Sequence, residues 1–595
     1  RTQINSNIRV TQDLDFWKWS KGLKATAMIA FDSWSGRDLK YTKREDTYYF
    51  SGTKNENGLW NEDVYKEDGS YNMIRTYKGQ PNLSFDSNQR AGSTRTTYFE
   101  TSLNYDRTFG LHRIGGLFLY NHRIYRDAGE TDMLKTLPYK QQGIAARATY
   151  SWNDRYFGEF NLGYNGSENF APKKRFGTFP ALGIGWAISN EPFWEGFKKY
   201  VSYLKIRYTD GKVGSDAVTD RRFMYQAIMD KPDDNSSFIF TQGGSGATSG
   251  WGIKNYGVEN ITWSTSRKQD LGIDIKFWDE ALSLNIDVFK ERREGIFLRR
   301  ATIPDYAGFI EMPYGNLGIV ENKGIETSVE FNKQLSRKVF LTVRGNITYN
   351  EDKIIENDQP AVIYDWRETR GTNVNARWGF IADGLFTSEE EIANHATQFG
   401  TVKVGDIKYR DLNGDGLIDD NDKCVIGQGD VPKIYYGFGA DLQVGNLSFG
   451  AVFQGIADAD RCLSGNSIQP FSTMTGIDNL YSNIDDRWSA DDPDNQNVFY
   501  PRLHNGQAAN TNNNQTSTWW QKDVSFLRLK QLTVSYNLPD RWVSKVGLKN
   551  ARIYVMGTNL LTFSKFKLWD PELNTNNGTS YPNVSTYSLG LSFGF

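Results

Sequence analysis

Along most of this chain apolar and polar residues alternate with a period of two, the pattern of β-strands whose two faces meet different media. In 159–165, Phe160, Leu162 and Tyr164 interleave with Glu159, Asn161 and Asn165. Likewise Ile144, Ala146, Ala148, Tyr150 and Trp152 oppose Ala145, Arg147, Thr149 and Ser151, and Leu282, Leu284, Ile286 and Val288 oppose Ser283, Asn285 and Asp287. Further copies lie at 23–31, 99–105, 271–277, 325–331, 341–349 and 587–595. The polar set includes Glu326, Glu330 and Arg344, too charged for the inside of a β-sandwich. Strands of about 9–11 residues or more, with aromatics near their ends and polar residues opposite, predict an all-β fold, a transmembrane antiparallel β-barrel around water.

The connections support this. Some are very short, as at 153–154 and 444–446, and others long and polar, notably 37–95, 214–260, 353–430 and 457–522. Short and long alternate as periplasmic turns and extracellular loops do. A propeller or a string of sandwiches would show a blade-length repeat or regular short spacing, and neither occurs. With the last strand descending to the periplasm, counting back gives about 17 strands, the first (2–16) also descending. Complete barrels of this kind have an even number and start by ascending, so the expectation is the C-terminal part of a larger barrel, lacking an odd number of leading strands. Helix is scarce; the clearest candidate is 388–396, where Ser388 and Glu391 form a capping-box pattern inside a long loop.

Composition narrows the classes further. Lys and Arg total 69 against 71 for Asp and Glu in 595 residues, a formal net charge of -2, which gives no reason to expect nucleic acid. Aromatics are abundant (32 Tyr, 36 Phe, 17 Trp) and 56 Gly accompany only 16 Pro, a balance suited to a large antiparallel β protein. No apolar run reaches the length of a membrane-crossing helix. The sequence opens at Arg1 without an initiator Met or signal peptide and reads as a mature or trimmed fragment. Enzyme chemistry finds no footing: the 4 His form no HExxH or triad spacing, and the glycine-rich 243–252 lacks the Lys-Ser/Thr of a phosphate loop. No organic cofactor is expected.

The most specific local signal is 411–422. Asp411, Asn413, Asp415, Asp419 and Asp422 stand at positions 1, 3, 5, 9 and 12, with Gly416 at 6 and the Leu417 carbonyl at 7, the donor pattern of a calcium loop. The last position is Asp rather than a bidentate Glu, so the expectation is a structural Ca2+ rather than a sensor; the alternative is an Asp/Asn/Gly-rich turn. Cys424 and Cys462, too few for a disulfide scaffold, leave only their mutual pairing open, and an oxidising compartment permits it. Trp366, Trp519 and Trp520 fall in predicted extracellular loops, where aromatic faces stack on sugar rings or cover apolar parts of a ligand, or simply pack. Charged residues such as Asp287 and Arg344 line a solute route, solvate the lumen or contact a plug.

Six ordered segments carry a family resemblance: "FPALGIGWAISNEPFW" (179–194), "YLKIRYTDGKVGSD" (203–216), "NLGIVENKGIETSVEF" (316–331), "GDIKYRDLNGDGLIDDND" (405–422), "SFLRLKQLTVSYNLP" (525–539) and "NLLTFSKFKLWDPE" (559–572). Together they resemble the SusC/RagA-like TonB-dependent outer-membrane transporters of Bacteroidetes across nearly the whole chain. The resemblance implies a barrel of roughly 22 strands, of which about 17 are here. The family's carboxypeptidase-like domain, TonB box, plug and first strands are not in this sequence. It implies outer-membrane import of an oligosaccharide or peptide delivered by a SusD-like lipoprotein and energised by TonB through that N-terminal region, in a dimer of transporter–lipoprotein pairs. The alternatives are a siderophore or cobalamin receptor and a passive porin. The terminal Tyr587-Ser588-Leu589-Gly590-Leu591-Ser592-Phe593-Gly594-Phe595 resembles the signal read by the outer-membrane assembly machinery, with Tyr587, Phe593 and Phe595 as its aromatic marks.

Overall fold

In the computed structural model the described residues are 2–37, 40–50, 56, 66–80, 82–85, 91–130, 132–217, 221–239, 247–309, 311–465, 468–470, 481–504 and 511–595. Parts of the long segments 37–95, 214–260 and 457–522, and 243–246 of the glycine-rich stretch, lie outside them.

One 17-stranded sheet organises the chain. Its strands are β1 (Thr2–Asp13), β2 (Leu23–Arg37), β3 (Ala91–Phe109), β4 (His112–Asp127), β5 (Tyr139–Trp152) and β6 (Tyr156–Ser167). Next come β7 (Phe176–Ala187), β8 (Val201–Ser215), β9 (Ser264–Phe277), β10 (Leu282–Arg299), β11 (Tyr314–Ser336) and β12 (Val339–Glu356). The series ends with β13 (Ile434–Val444), β14 (Leu447–Ala457), β15 (Phe526–Asn537), β16 (Asn550–Ser564) and β17 (Thr586–Gly594). Each pairs antiparallel with its sequence neighbour, as strands joined by turns and simple loops do. The count agrees with the alternation pattern. Among the described residues β1 pairs only with β2 and β17 only with β16.

Registry puts the apolar set on one face. On β6, Phe160 and Tyr164 are 45% and 40% exposed, and on β7 Leu182 and Ile184 are 55% and 56% exposed. Large apolar side chains left in the open along a regular strand face are what a lipid-facing surface shows. The opposite face carries most of the charges, such as Arg207, Asp287, Glu326 and Arg344. Register is strict because a slip of one residue would exchange the two faces.

Buried apolar residues are few on the strands and concentrate in the long connections. The largest cluster gathers Phe380, Leu385, Ile407, Tyr409, Tyr500 and Trp520 from 357–433 and 458–525, together with Phe566 after β16. The predicted helix is present as Glu389–Asn394, shorter than expected. Ser388 caps it, accepting the Glu391 N–H at 3.1 Å. Glu391 reaches back one residue further than a capping box requires, accepting the Thr387 N–H at 2.8 Å.

Candidate functional site: a charged wall and a loop cap

Alternation sets charged side chains in rows across neighbouring strands. Arg207 on β8 lies opposite Gly272 on β9, Gly272 opposite Asp287 on β10, and Asp287 opposite Glu326 on β11. The Arg207 guanidinium donates to Asp287 at 2.5 Å and Asp270 at 3.1 Å, and stands 3.5 Å from Asp274. Gly272 makes this possible: a Cβ there would collide with the Arg207 guanidinium and the Asp287 carboxylate. Further along the same face, Arg147 pairs with Glu159 at 2.7 Å and Arg344 with Asp441 at 2.7 Å, whereas Arg267 and Asp210, 2.5 Å apart, pair on the opposite face. A cavity of about 910 Å³ opens along this wall, bordered by Lys24, Arg113, Arg147, Glu159, Lys205 and Asp210 among others. Such half-exposed pairs add little stability. They hold a fixed pattern of charge on the watery side of the sheet, able to attract and orient a polar solute or protein segment.

At the other level of organisation the loops form a cap with its own polar centre. Asp406, 1% exposed, accepts from Arg502 at 3.0 and 2.9 Å and from Asn513 at 2.9 Å. Asn513 in turn accepts the Ile407 N–H at 2.9 Å. Tyr409, fully buried, donates to the Asn512 carbonyl at 2.7 Å, and burial drives its phenol above the usual tyrosine range. A second tie joins cap to strand: Arg528 on β15, 1% exposed, donates to Asp570 and lies 3.0 Å from Glu572. Asp406, Arg528, Asp570 and Glu572 all sit inside the quoted motifs, yet sequence alone gave them no role. The only available cue was that charged residues recur within otherwise apolar runs.

The acidic loop is folded as a tight series of turns. Asp411 accepts the N–H groups of Gly414 (2.7 Å) and Gly416 (2.8 Å), Asn413 that of Asp415 (3.0 Å) and Asp415 that of Leu417 (2.9 Å). Gly414 and Gly416 take left-handed φ of 72° and 83°. Asp422, fully buried, closes the loop by accepting from Leu412 (2.8 Å) and Asp419 (2.9 Å), while Asp419 accepts from Asn421 (2.7 Å). The donor chemistry, carboxylates with one amide and one main-chain carbonyl, suits a hard cation. Among the described residues, though, no group of three or more His, Cys, Asp or Glu side chains converges as a metal centre, because these carboxylates are turned to the loop's own amides.

The remaining sequence expectations divide. Cys424 and Cys462 are both free, so the disulfide between them is not formed; Cys424 lies opposite Gly379 and Cys462 opposite Gln521, on separate two-stranded pieces. Burial raises both thiols above the usual cysteine range. Trp520 is 1% exposed and donates to the Asn513 carbonyl at 2.7 Å, a core position that corrects the reading of it as an exposed stacking face. Trp519, packed against the same core, donates to the Phe499 carbonyl at 3.1 Å. Trp366 stacks on Tyr364 at 4.8 Å and 13°, and its ring N–H donates to Asn421 at 2.7 Å, fastening this segment to the acidic loop. Tyr587 and Phe593 on β17 and Phe595 just after it are 77%, 51% and 84% exposed, and Leu589 and Leu591 of the strand are exposed with them.

No family model matches the chain. It is 25% identical over 555 residues to TonB-dependent receptor P3 of Formosa agariphila, covering 84% of this chain and 52% of that protein. It is 24% identical over 465 residues to TonB-dependent receptor SusC of Bacteroides thetaiotaomicron, covering 76% of this chain and 43% of that protein. The solved structure of the RagAB peptide transporter superposes with a TM-score of 0.71 at 18% identity, over 99% of this chain and 62% of that one, which shows a shared fold. The two-faced antiparallel sheet, its charged wall and these relatives define an outer-membrane β-barrel of the TonB-dependent class. Within that class the chain is SusC/RagA-like. It spans about half the length of the curated relatives it matches.

Proposed function

We propose that this chain is the wall and outer cap of a TonB-dependent importer that takes up an oligosaccharide or a peptide. The observation that carries the reading is the charged wall on one face of the sheet together with large, internally packed loops. A fixed set of charges facing water suits passage of polar solutes and the seating of a plug, and a cap with its own core suits a firm mouth. A SusD-like surface lipoprotein delivers the solute to that mouth, and TonB supplies energy through a plug-bearing region outside this sequence; likeness to SusC and to the RagAB peptide transporter supports both assignments. The working unit is a dimer of transporter–lipoprotein pairs. The exposed aromatic face of β17 serves as the mark by which the assembly machinery seats the barrel in lipid.

The test is mild-detergent extraction of the native outer membrane, capture through this chain, and mass spectrometry of every co-purifying polypeptide and solute. Recovery of a plug-bearing sequence and a surface lipoprotein is expected, with the bound solute naming the substrate. Recovery of this chain alone, with no plug sequence, favours a passive channel.

For the 411–422 loop we propose Ca2+ as a structural ion held by Asp411, Asn413, Asp415, Leu417, Asp419 and Asp422, supported by their spacing and hard-oxygen chemistry. Saturable calcium binding that Asp415→Asn abolishes is the expected result. Calorimetric silence in both proteins would leave the loop as a hydrogen-bonded clasp.

A further inference from the structure

All connections at one end of the sheet are short, the end that meets the periplasm in barrels of this class. Two of them stand out: 14–22, between β1 and β2, and 538–549, between β15 and β16. The first is fastened at several points. The Trp17 N–H donates to Ser20 at 3.1 Å, the Ser20 hydroxyl donates to the Leu14 carbonyl at 2.6 Å, and the Gly22 N–H donates to Asp15 at 2.7 Å. From β3, Arg107 donates to the Lys18 carbonyl at 2.8 Å. Yet this well-tied turn holds two indoles out in the open. Trp17 and Trp19 stack with centroids 5.5 Å apart and planes 3° apart, at 59% and 68% exposure. Lys18 and Lys21 are exposed beside them.

The second turn repeats the theme on a different backbone. Short helical pieces at Asp540–Val543 and Ser544–Val546 bury Val543 and end at Gly547, with φ 75°. Trp542 and Val546 are 51% and 71% exposed, the Arg541 guanidinium lies 5.8 Å from the Trp542 ring, and Lys545 and Lys549 are exposed. Asp15 against Lys18 and Lys21 gives the first turn +1, and Asp540 against Arg541, Lys545 and Lys549 gives the second +2, in a chain whose formal net charge is -2. Among the described residues none of these five cations is engaged in an ion pair, unlike Lys198 on a third turn, which pairs with Glu195 at 2.7 Å.

We propose that these two turns bind anionic phospholipid headgroups of the inner leaflet. Indoles settle at headgroup depth because they are apolar with one polar edge. An aromatic edge alone accepts any phospholipid. Cations held beside it on a fixed turn add a preference for lipids with net negative charge, whose phosphate they meet at the same depth. Neither turn belongs to the charged wall or the loop cap, so the inference is independent of the transport reading.

The test uses the whole protein purified in mild detergent and native mass spectrometry with equal phosphatidylglycerol and phosphatidylcholine. The expected result is several-fold greater retention of phosphatidylglycerol. The quadruple variant Lys18→Gln, Lys21→Gln, Arg541→Gln and Lys545→Gln is expected to bring the two lipids to parity while keeping heat-modifiable mobility, the sign of an intact barrel. Equal retention by the unaltered protein, or an undiminished preference in a folded quadruple variant, overturns the proposal. So does displacement of the retained lipid by an equal concentration of inorganic phosphate, which would mark a free-anion site.

Discussion

Replacing Arg528 with Met should loosen the last outer loop from the barrel. Arg528 is 1% exposed, and its partners Asp570 and Glu572 have side chains 16% and 33% exposed. Removing one member of a buried pair costs about 3–5 kcal/mol when the other is left buried and unpaired. Here both carboxylates keep some contact with water, Glu572 a good deal, and the Arg528 Nε has no hydrogen-bond partner among the described residues, so its loss removes a small penalty. The low end, about 3 kcal/mol, is therefore expected, which at about 1.4 kcal/mol per decade is roughly a hundred-fold more opening of 565–585. Limited proteolysis of the folded protein, with opening fast relative to cleavage, reads that population directly. The double change Arg528→Met with Asp570→Leu should restore much of the resistance, since the one carboxylate left, Glu572, is a third exposed and stands 3.7 Å from Lys530. Cleavage of the Arg528→Met protein at the unaltered rate would refute the reasoning, showing that the apolar contacts of Phe566 hold the loop unaided.

Gly272→Val should push the Arg207 guanidinium off Asp287, costing about 1–3 kcal/mol as overpacking does, seen as a lower midpoint in heat-modifiable mobility, with Gly272→Ala intermediate. At Glu391, burial acts to raise the carboxyl, but hydrogen bonds from Lys408 and Thr387 outweigh it and leave it below the usual glutamate range. Its folded pKa being depressed, the stability it contributes is present above the ordinary glutamate value and is lost as pH falls through the folded one, so amide exchange at Thr387 should rise below about pH 4. With both cysteines free and Cys462 buried, non-reducing and reducing mobilities should coincide, and a maleimide should label Cys462 only after denaturation. A mobility shift that reductant reverses would contradict the separate strands that carry them.

Much of the fold is legible locally. A strand between lipid and water must alternate, and each copy of that pattern states its own element and its own faces, so 144–152, 159–165 and 282–288 could each be read without knowing their neighbours. The same locality made the Ser388 cap and the oxygen spacing of 411–422 readable. Long loops were the opposite case. Trp519 and Trp520 in a polar stretch look like exposed aromatics until 357–433 and 458–525 fold against each other, because burial there is created by the partner segment and not by any periodicity.

What the sequence by itself determined is the two-faced strand pattern and its count, and through ordered motifs the SusC/RagA-like resemblance. What only the tertiary structure decided is which distant polar groups meet. Asp406 with Arg502, Arg528 with Asp570, and Arg207 with Asp287 are separated by 96, 42 and 80 positions. It also decided that Cys424 and Cys462 stay apart. Alternation is imposed on every residue by the solvent beside it, so it is written along the chain. Pairing of charges, by contrast, depends on registry and loop packing, which no short stretch encodes.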